Sequence, residues 1–131
     1  MKTVLFVCVH NSGRSQMAEA FFNQMAKGRA KGISAGTIPS KSVNTAVVAA
    51  MRRAGLDISH NKPKSLTPEM IQTADRIINM GCLDSAACPA GFVVAEDWGL
   101  ADPHDKPFEE VVKIRDEIKQ RVEALVNSMG L

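Results

Sequence analysis

At 131 residues and 14.1 kDa the chain has the length of one domain, since a domain takes about 100 to 200 residues, and no second folded unit is expected within residues 1–131. With 45% hydrophobic and 23% charged residues it sits among globular chains and outside the low-apolar, high-charge class that stays disordered. The net charge of +2 conceals a division, because residues 1–66 hold ten Lys/Arg against Glu19 and Asp57, whereas residues 67–131 hold six against twelve acids.

In chain order, Lys2–Cys8 comes first, and its run from Val4 to Val9 is far shorter than the roughly 18 apolar residues of a bilayer span. Preceded by one lysine and followed by no small-residue cleavage site, it reads as a strand buried on both faces of a parallel sheet rather than as a signal peptide. A cytoplasmic protein without membrane contact is the expectation. The polar loop His10-Asn11-Ser12-Gly13-Arg14 follows, and then Ala18, Phe21, Phe22 and Met25 recur at helical spacing up to Gly28. A short strand is expected at Lys31–Ala35, and a helix carrying Val43, Ala46, Val47, Ala50 and Met51 before Gly55. Thr67, Pro68 and Glu69 read as cap, first-turn proline and early acid of a short helix. Asp75–Met80 is the next strand, residues 81–91 a loop or frayed helix, Phe92–Ala95 a short strand, and Asp97–Pro107 an irregular stretch. The last helix is marked by Val111, Ile114, Ile118, Val122, Leu125 and Met129, with Glu109/Lys113 and Glu117/Arg121 as supporting pairs and Gly130 as its end. Alternating strands and helices predict an α/β fold, a doubly wound four-stranded parallel sheet with helices on both faces. Ligands of such sheets lie at the carboxyl ends of the strands, which would gather Cys8, Cys82 and the Asp102 loop in one crevice.

The basic half calls for an anionic ligand. Nucleic acid is a poor match, because Tyr is absent, aromatics make up 5% of the chain and no basic helix is interleaved with stacking residues. A small anion suits a basic rim better. Three cysteines, Cys8, Cys82 and Cys88, are an odd number unsuited to a secreted disulfide framework and acceptable for catalytic thiols. Structural zinc would want paired ligands at short spacing, whereas the chain has no Cys-x-x-Cys and its His10, His60 and His104 are scattered. Nucleotide loops of the Gly-x-Gly-x-x-Gly and Gly-x4-Gly-Lys types are also missing.

The chemistry is concentrated in Cys8-Val9-His10-Asn11-Ser12-Gly13-Arg14-Ser15. A strand-to-helix loop of this length can wrap the backbone N–H groups of Val9, His10, Asn11, Ser12, Gly13 and Arg14 around an oxyanion, with the helix dipole adding positive potential. The same field favours Cys8 as a thiolate nucleophile. Arg14 offers a planar fork for two oxygens of a tetrahedral anion, and the Ser15 hydroxyl can donate to the sulfur. Asp102, before Pro103, is a candidate general acid. Plainer readings exist: Cys8 as a buried residue at a strand end, Asp102-Pro103 as a turn, His10 as a loop side chain held by its neighbours, and the seven methionines as core.

Cys8-Val-His-Asn-Ser-Gly-Arg-Ser-Gln-Met-Ala-Glu19, with Ser34-Ala-Gly36 and Asp102-Pro103, resembles the arsenate reductases of the low-molecular-weight protein tyrosine phosphatase fold over nearly the whole chain. The Cys-x5-Arg loop and the Asp-Pro are shared with the phosphatases. Gln16-Met17 in place of a usual Pro, His104 in place of a usual Tyr, and Cys82 with Cys88 as a redox pair point to arsenate. The resemblance implies a three-thiol cascade through Cys8, Cys82 and Cys88, thioredoxin as electron donor, no bound cofactor and a monomer. Gly13 stands where many relatives carry a Cys, and the spacing from Cys82 to Cys88 is one residue shorter than in the best-known reductases. Asn11, Glu19 and Ser34 match parts of a potassium site found in some relatives, but no metal is assigned. A phosphatase working through a Cys8 phosphocysteine, and a thiol sensor or oxyanion-binding module without turnover, remain the alternatives. For the reductase, residues 81–91 are expected to change conformation: on one intact helix Cys82 and Cys88 would stand about 9 Å apart along the axis, against the roughly 4.4 to 6.8 Å between Cα atoms of a disulfide.

Overall fold

The computed structural model describes residues 1–80 and 96–131. The expected strand at Phe92–Ala95, the segment 81–91 and both Cys82 and Cys88 lie outside the described residues. The described elements are β1 (Lys2–Cys8), α1 (Arg14–Ala26), β2 (Ala30–Gly36), α2 (Thr45–Arg53), α3 (Pro68–Thr73), β3 (Arg76–Asn79), β4 (Glu96–Asp97) and α4 (Phe108–Ser128). The strands form one four-stranded sheet in the order β2-β1-β3-β4, with every pairing parallel. β1 pairs with β2 along its whole length and with β3 on its other edge, so the chain leaves β1 towards one side and later returns to the other. That reversal makes a crevice at the carboxyl end of β1, and Cys8 is the last residue of the strand.

Successive side chains of β1 serve two cores, as alternation along a strand requires. Val4, Phe6 and Cys8 join the cluster built by α1, α2 and α4, while Leu5 and Val7 join Ala35 and Ile77 under Leu66, Met70 and Ile71 from α3 and the residues before it. This is why β1 has no polar position between Val4 and Cys8. Phe6 meets the rings of Phe22 and Trp98, each at 5.9 Å between centroids, and burying a large apolar side chain of this kind contributes about 1.5–3 kcal/mol. α2 and α4 are joined further by the Arg53 guanidinium over the Phe108 ring at 4.9 Å and by Arg115 donating to the Ala50 carbonyl at 2.9 Å.

Local signals set most of the boundaries. Asn44 caps α2, its Oδ1 accepting from Ala46 N at 2.8 Å, and Thr67 caps α3 through Met70 N at 3.2 Å. The stripe Val111, Ile114, Ile118, Val122 and Leu125 is buried along α4, and Gly130 follows at φ 74°. Lys113 pairs with Glu110 at 3.5 Å rather than with the expected Glu109, because Glu110 lies three residues back on the same exposed strip, whereas Arg121 does pair with Glu117 at 3.5 Å. β3 is one residue shorter than expected at each end, although Asp75 and Met80 N–H still donate to the β1 carbonyls of Thr3 and Val7 at 2.8 and 2.7 Å, and the Asp75 side chain accepts Thr3 N–H at 2.7 Å. Among the described residues no helix is long and apolar enough to cross a membrane.

Candidate active site

Five residues, Val9 to Gly13, join β1 to α1, and their backbone polarity is set from outside. The carbonyls of Cys8, Val9, His10 and Ser12 accept from Thr37, Ile38, Ser40 and Asn44 N–H at 3.2, 2.8, 3.0 and 2.9 Å, and the carbonyl of Asn11 accepts from Gln16 Nε2 at 3.2 Å. None of the described peptide bonds is cis, so each N–H points opposite to the carbonyl before it. Carbonyls drawn outward from 8 to 12 therefore turn the N–H groups of Val9 to Gly13 inward. Gly13 O is taken by Met17 N at 3.0 Å in the first turn of α1, which aims Arg14 N–H out of the helix start. The result is a ring of donors around the end of β1, suited to an oxyanion.

Cys8 lies at the centre and is 2% exposed. Asn11 N–H donates to its Sγ at 3.2 Å, and Ser15 Oγ stands 2.8 Å from the same sulfur. The neighbours of Ser15 leave its hydroxyl proton available to the sulfur. Lys64 N–H, which can only donate, meets Asn11 Oδ1 at 2.9 Å, so the amide nitrogen of Asn11 is the atom that donates to Ser15 Oγ at 2.7 Å. With that lone pair used, the serine hydroxyl is free to aim its proton at the sulfur. Cys8 Sγ is thus held by two polar contacts inside the loop.

Asn11 does this at φ 50°, a left-handed conformation that Asn tolerates better than most residues. It is fully buried and joins the loop to residues 61–64: its Oδ1 also accepts from Gln16 Nε2 at 3.1 Å, Gln16 Nε2 lies 3.3 Å from Lys62 O, and Asn61 Nδ2 donates to Gln16 Oε1 at 3.1 Å. Asn11→Ala would strip Lys64 N–H of its acceptor and Ser15 and Gln16 of one partner each, at about 1–3 kcal/mol for an unsatisfied group and about 0.5–1.5 kcal/mol for each other bond lost, and would put Ala in a left-handed conformation. A loss of about 3–5 kcal/mol is the expected result, measured by denaturant unfolding; a change below 1 kcal/mol, on the order of one ordinary hydrogen bond, would show the loop holding its shape without Asn11.

Gly36 closes the other side. A Cβ there would lie 2.7 Å from Val9 O and 3.0 Å from Asn11 N, so only glycine lets the end of β2 come this near the loop. Arg14 is buried, donating through Nη1 to Leu100 O at 3.0 Å with Nη2 3.7 Å from Asp102 Oδ2. Asp102 Oδ1 accepts from His104 N–H at 3.0 Å, so this residue forms the turn expected of Asp-Pro and also reaches the loop arginine. His10 is held by the Ile38 carbonyl at 3.0 Å through Nδ1, and His104 is exposed, 3.1 Å from Asp105. The structure thus gathers Cys8, Arg14, Ser15 and Asp102 with the backbone of Val9, His10, Asn11, Ser12 and Gly13. Beside Glu19, which accepts from Ser34 Oγ at 3.2 Å, stands Lys64 Nζ at 3.5 Å, so the cation facing this carboxylate is the chain's own and no metal is assigned.

Sequence reasoning missed the bracing of Asn11 by Gln16, Asn61 and Lys64, the close approach at Gly36 and the Leu100 carbonyl that aims Arg14. An Asn inside an otherwise tight loop is the one sequence signal that pointed towards the first of these.

Comparison with known proteins places this geometry among relatives. The family model for low molecular weight phosphotyrosine protein phosphatase matches residues 3–130. Arsenate reductase 1 of Staphylococcus epidermidis is 36% identical over 129 residues, covering 96% of this chain and 96% of that protein. A solved arsenate reductase in the phosphate binding state superposes with a TM-score of 0.86 at 32% identity, covering 98% of each chain. The thioredoxin-dependent arsenate reductase of Corynebacterium glutamicum gives a TM-score of 0.79 at 34% identity, covering 99% of this chain and 62% of that one.

Proposed function

This chain belongs to the low molecular weight phosphotyrosine protein phosphatase family, and from that premise we propose that it is an arsenate reductase, reducing arsenate to arsenite with thioredoxin as electron donor. The observation that carries the chemistry is the pair of contacts on Cys8 Sγ, Asn11 N–H donating at 3.2 Å and Ser15 Oγ at 2.8 Å, inside a ring of backbone N–H groups. A thiolate nucleophile and an oxyanion site then share one loop. The choice of arsenate is supported by relatives of that name at 36% identity and by Cys82 and Cys88, for which an ester-hydrolysing enzyme has no use.

Arsenate binds against the amides of Val9 to Arg14 and the Arg14 fork. The Cys8 thiolate attacks arsenic(V), forming the sulfur–arsenic bond, and Asp102, in its acid form, passes its proton to the departing oxygen so that water leaves. Cys82 thiolate attacks Cys8 Sγ. The sulfur–arsenic bond breaks with its electron pair going to arsenic, which departs as arsenite, and a Cys8–Cys82 disulfide remains. Cys88 attacks Cys82, freeing Cys8, and the dithiol of thioredoxin reduces the Cys82–Cys88 bond. No bound cofactor is needed, and one domain acting as a monomer in the cytoplasm suffices.

The family match also favours a second reading, hydrolysis of a phosphate ester through a Cys8 phosphocysteine resolved by water. One assay separates the two. With arsenate, thioredoxin, its reductase and NADPH, the reductase oxidises NADPH only when arsenate is present. Phosphate release from an aryl phosphate without that oxidation would make the protein a phosphatase, and neither activity would leave a sensor or binding module.

Asp102→Asn is expected to slow formation of the Cys8–arsenic adduct by about 10²- to 10⁴-fold, because Asn keeps the shape and lacks the acidic proton. Reduction of the oxidised enzyme by thioredoxin should be unchanged in the same variant. A wild-type single-turnover rate would assign Asp102 to the turn alone.

A further inference from the structure

Glu19 brings a carboxylate into the interior beside the Cys8 loop. Its side chain is 16% exposed, it lies one helical turn along α1 from Ser15, and it accepts from the hydroxyl of the fully buried Ser34 at 3.2 Å. A hydroxyl does not neutralise a carboxylate held mostly out of water, so this corner of the fold calls for a positive charge. Among the described residues the cation paired with Glu19 is Lys64, whose Nζ stands 3.5 Å from the same Oε1 that takes the Ser34 hydroxyl. The potassium site that Asn11, Glu19 and Ser34 match in part therefore does not fit this chain, because an ammonium group already faces the carboxylate.

The backbone of Lys64 is tied to the loop independently of its side chain. Its N–H donates to Asn11 Oδ1 at 2.9 Å, which leaves the Asn11 amide nitrogen for Ser15 Oγ, and its carbonyl accepts from Gly36 N–H at 2.7 Å. Leu66 N–H returns to Gly36 O at 2.9 Å, so residues 64–66 lie along the end of β2 as a short parallel bridge. One residue thus joins three parts: the loop through Asn11, β2 through Gly36 and α1 through Glu19. Of these three ties, the charge pair is the one that depends on the side chain.

We propose that Lys64 is a positioning residue for the oxyanion loop: as a tethered ammonium it supplies the counter-charge of Glu19, holds residues 64–66 against α1 where their backbone orients Asn11, and makes the loop independent of a free monovalent cation. A tethered cation is always at the site, whereas a free one has to be recruited from solution and stabilises only as far as its concentration exceeds its dissociation constant. Lys64 acts through Asn11 and not on the anion itself. The kinetic consequence rests on the arsenate reductase reading; the consequence for anion binding does not.

The test uses ammonium chloride as the untethered counterpart of the Lys64 side chain, against choline chloride at equal ionic strength, choline being too bulky for the place of one ammonium group. It reads thermal stability and calorimetric affinity for inorganic phosphate, with kcat/KM for arsenate as a third measurement. The wild type should behave alike in both salts. Lys64→Ala keeps the backbone bonds to Asn11 and Gly36, and in choline it is expected to bind phosphate about 10-fold more weakly, within the roughly 5- to 150-fold range of coupling between separate sites. Ammonium should recover most of that loss. Lys64→Arg should hold the wild-type affinity in choline, because it keeps the charge. Glu19→Gln/Lys64→Ala, which removes both charges, should lose less than Lys64→Ala and should not respond to ammonium, since no unpaired buried charge remains. Should Lys64→Ala fold only with ammonium present, the stability measurement carries the same result. Wild-type affinity of Lys64→Ala in choline, a loss in it that neither ammonium nor Lys64→Arg repairs, an equal response of the double variant, or a wild type that itself gains affinity from ammonium would overturn the proposal. A wild type that binds phosphate in this way and fails to reduce arsenate would instead remove the reductase reading and leave the role of Lys64 standing.

Discussion

Cys8→Ser is expected to abolish arsenate reduction, with turnover falling by about 10⁶-fold, the scale of loss when a covalent nucleophile is removed. Serine would keep the contacts of the site, since a hydroxyl can take the place of the sulfur between Asn11 N–H and Ser15 Oγ. It would not keep the chemistry, because a neutral hydroxyl with no base beside it is a weak nucleophile, and an oxygen–arsenic bond gives Cys82 no sulfur to attack. Phosphate binding should persist, because the amides of Val9 to Arg14 and the Arg14 side chain are untouched. The informative measurement is therefore a pair, NADPH oxidation in the thioredoxin-coupled assay and calorimetric titration with inorganic phosphate. Near-normal turnover would exclude Cys8 as the nucleophile. Loss of phosphate binding in a folded variant would show that the thiolate shapes the ring as well as attacking from it.

How much of this was legible in the sequence depended on the range of the forces involved. β1 is legible because a central parallel strand whose two faces are both covered must be apolar at every buried position, and Val4 to Cys8 are. α3 was read from its cap and proline, both local signals. The start of α1 was less visible: apolar periodicity begins at Ala18, but the helix begins at Arg14, and its first turn buries Arg14, Ser15 and Gln16. Those residues are buried through hydrogen bonds to the loop and to residues 61–64 and 100, which hydropathy does not register. β4 shows the same limit, because Glu96–Asp97 is an acidic pair with no strand pattern, yet it lies in register with Ile78 and Asn79.

The loop from Cys8 to Ser15 was legible because its chemistry is compressed into eight consecutive residues, where spacing carries the geometry. What surrounds the loop was not. Gln16 and Asn61 are 45 residues apart and Arg14 and Leu100 86 apart, and nothing in one sequence marks such pairs. β2 runs one residue beyond the expected Lys31–Ala35 at each end, and its last residue, Gly36, makes the 2.7 Å approach to Val9 O that a side chain would forbid. Asp102 reads both as a turn and as an acid; the observed geometry shows the turn, with one carboxylate oxygen on His104 N–H and the other 3.7 Å from Arg14 Nη2.

Arg14→Lys is expected to lower kcat/KM for arsenate by about 10²- to 10³-fold, the loss recorded when one preorganised oxyanion donor is removed. The argument lies in what the guanidinium does at once. One nitrogen is committed to the Leu100 carbonyl at 3.0 Å, which fixes the plane of the group, and its remaining donors would take two oxygens of a tetrahedral anion bound at the loop. An ammonium group keeps the charge but has no plane to fix. If it donates to Leu100 O it is drawn away from the loop, and if it turns to the anion it leaves a buried carbonyl unpaired, at about 1–3 kcal/mol. The half-exposed pairing with Asp102 at 3.7 Å is too long and too wet to change this balance. Charge retention predicts that phosphate still binds, more weakly, while adduct formation suffers more than binding, because the fork matters most once the arsenic centre becomes crowded in the transition state. Steady-state kinetics with phosphate titration on the same preparation measures both, and an unchanged kcat/KM for arsenate would remove Arg14 from the oxyanion site.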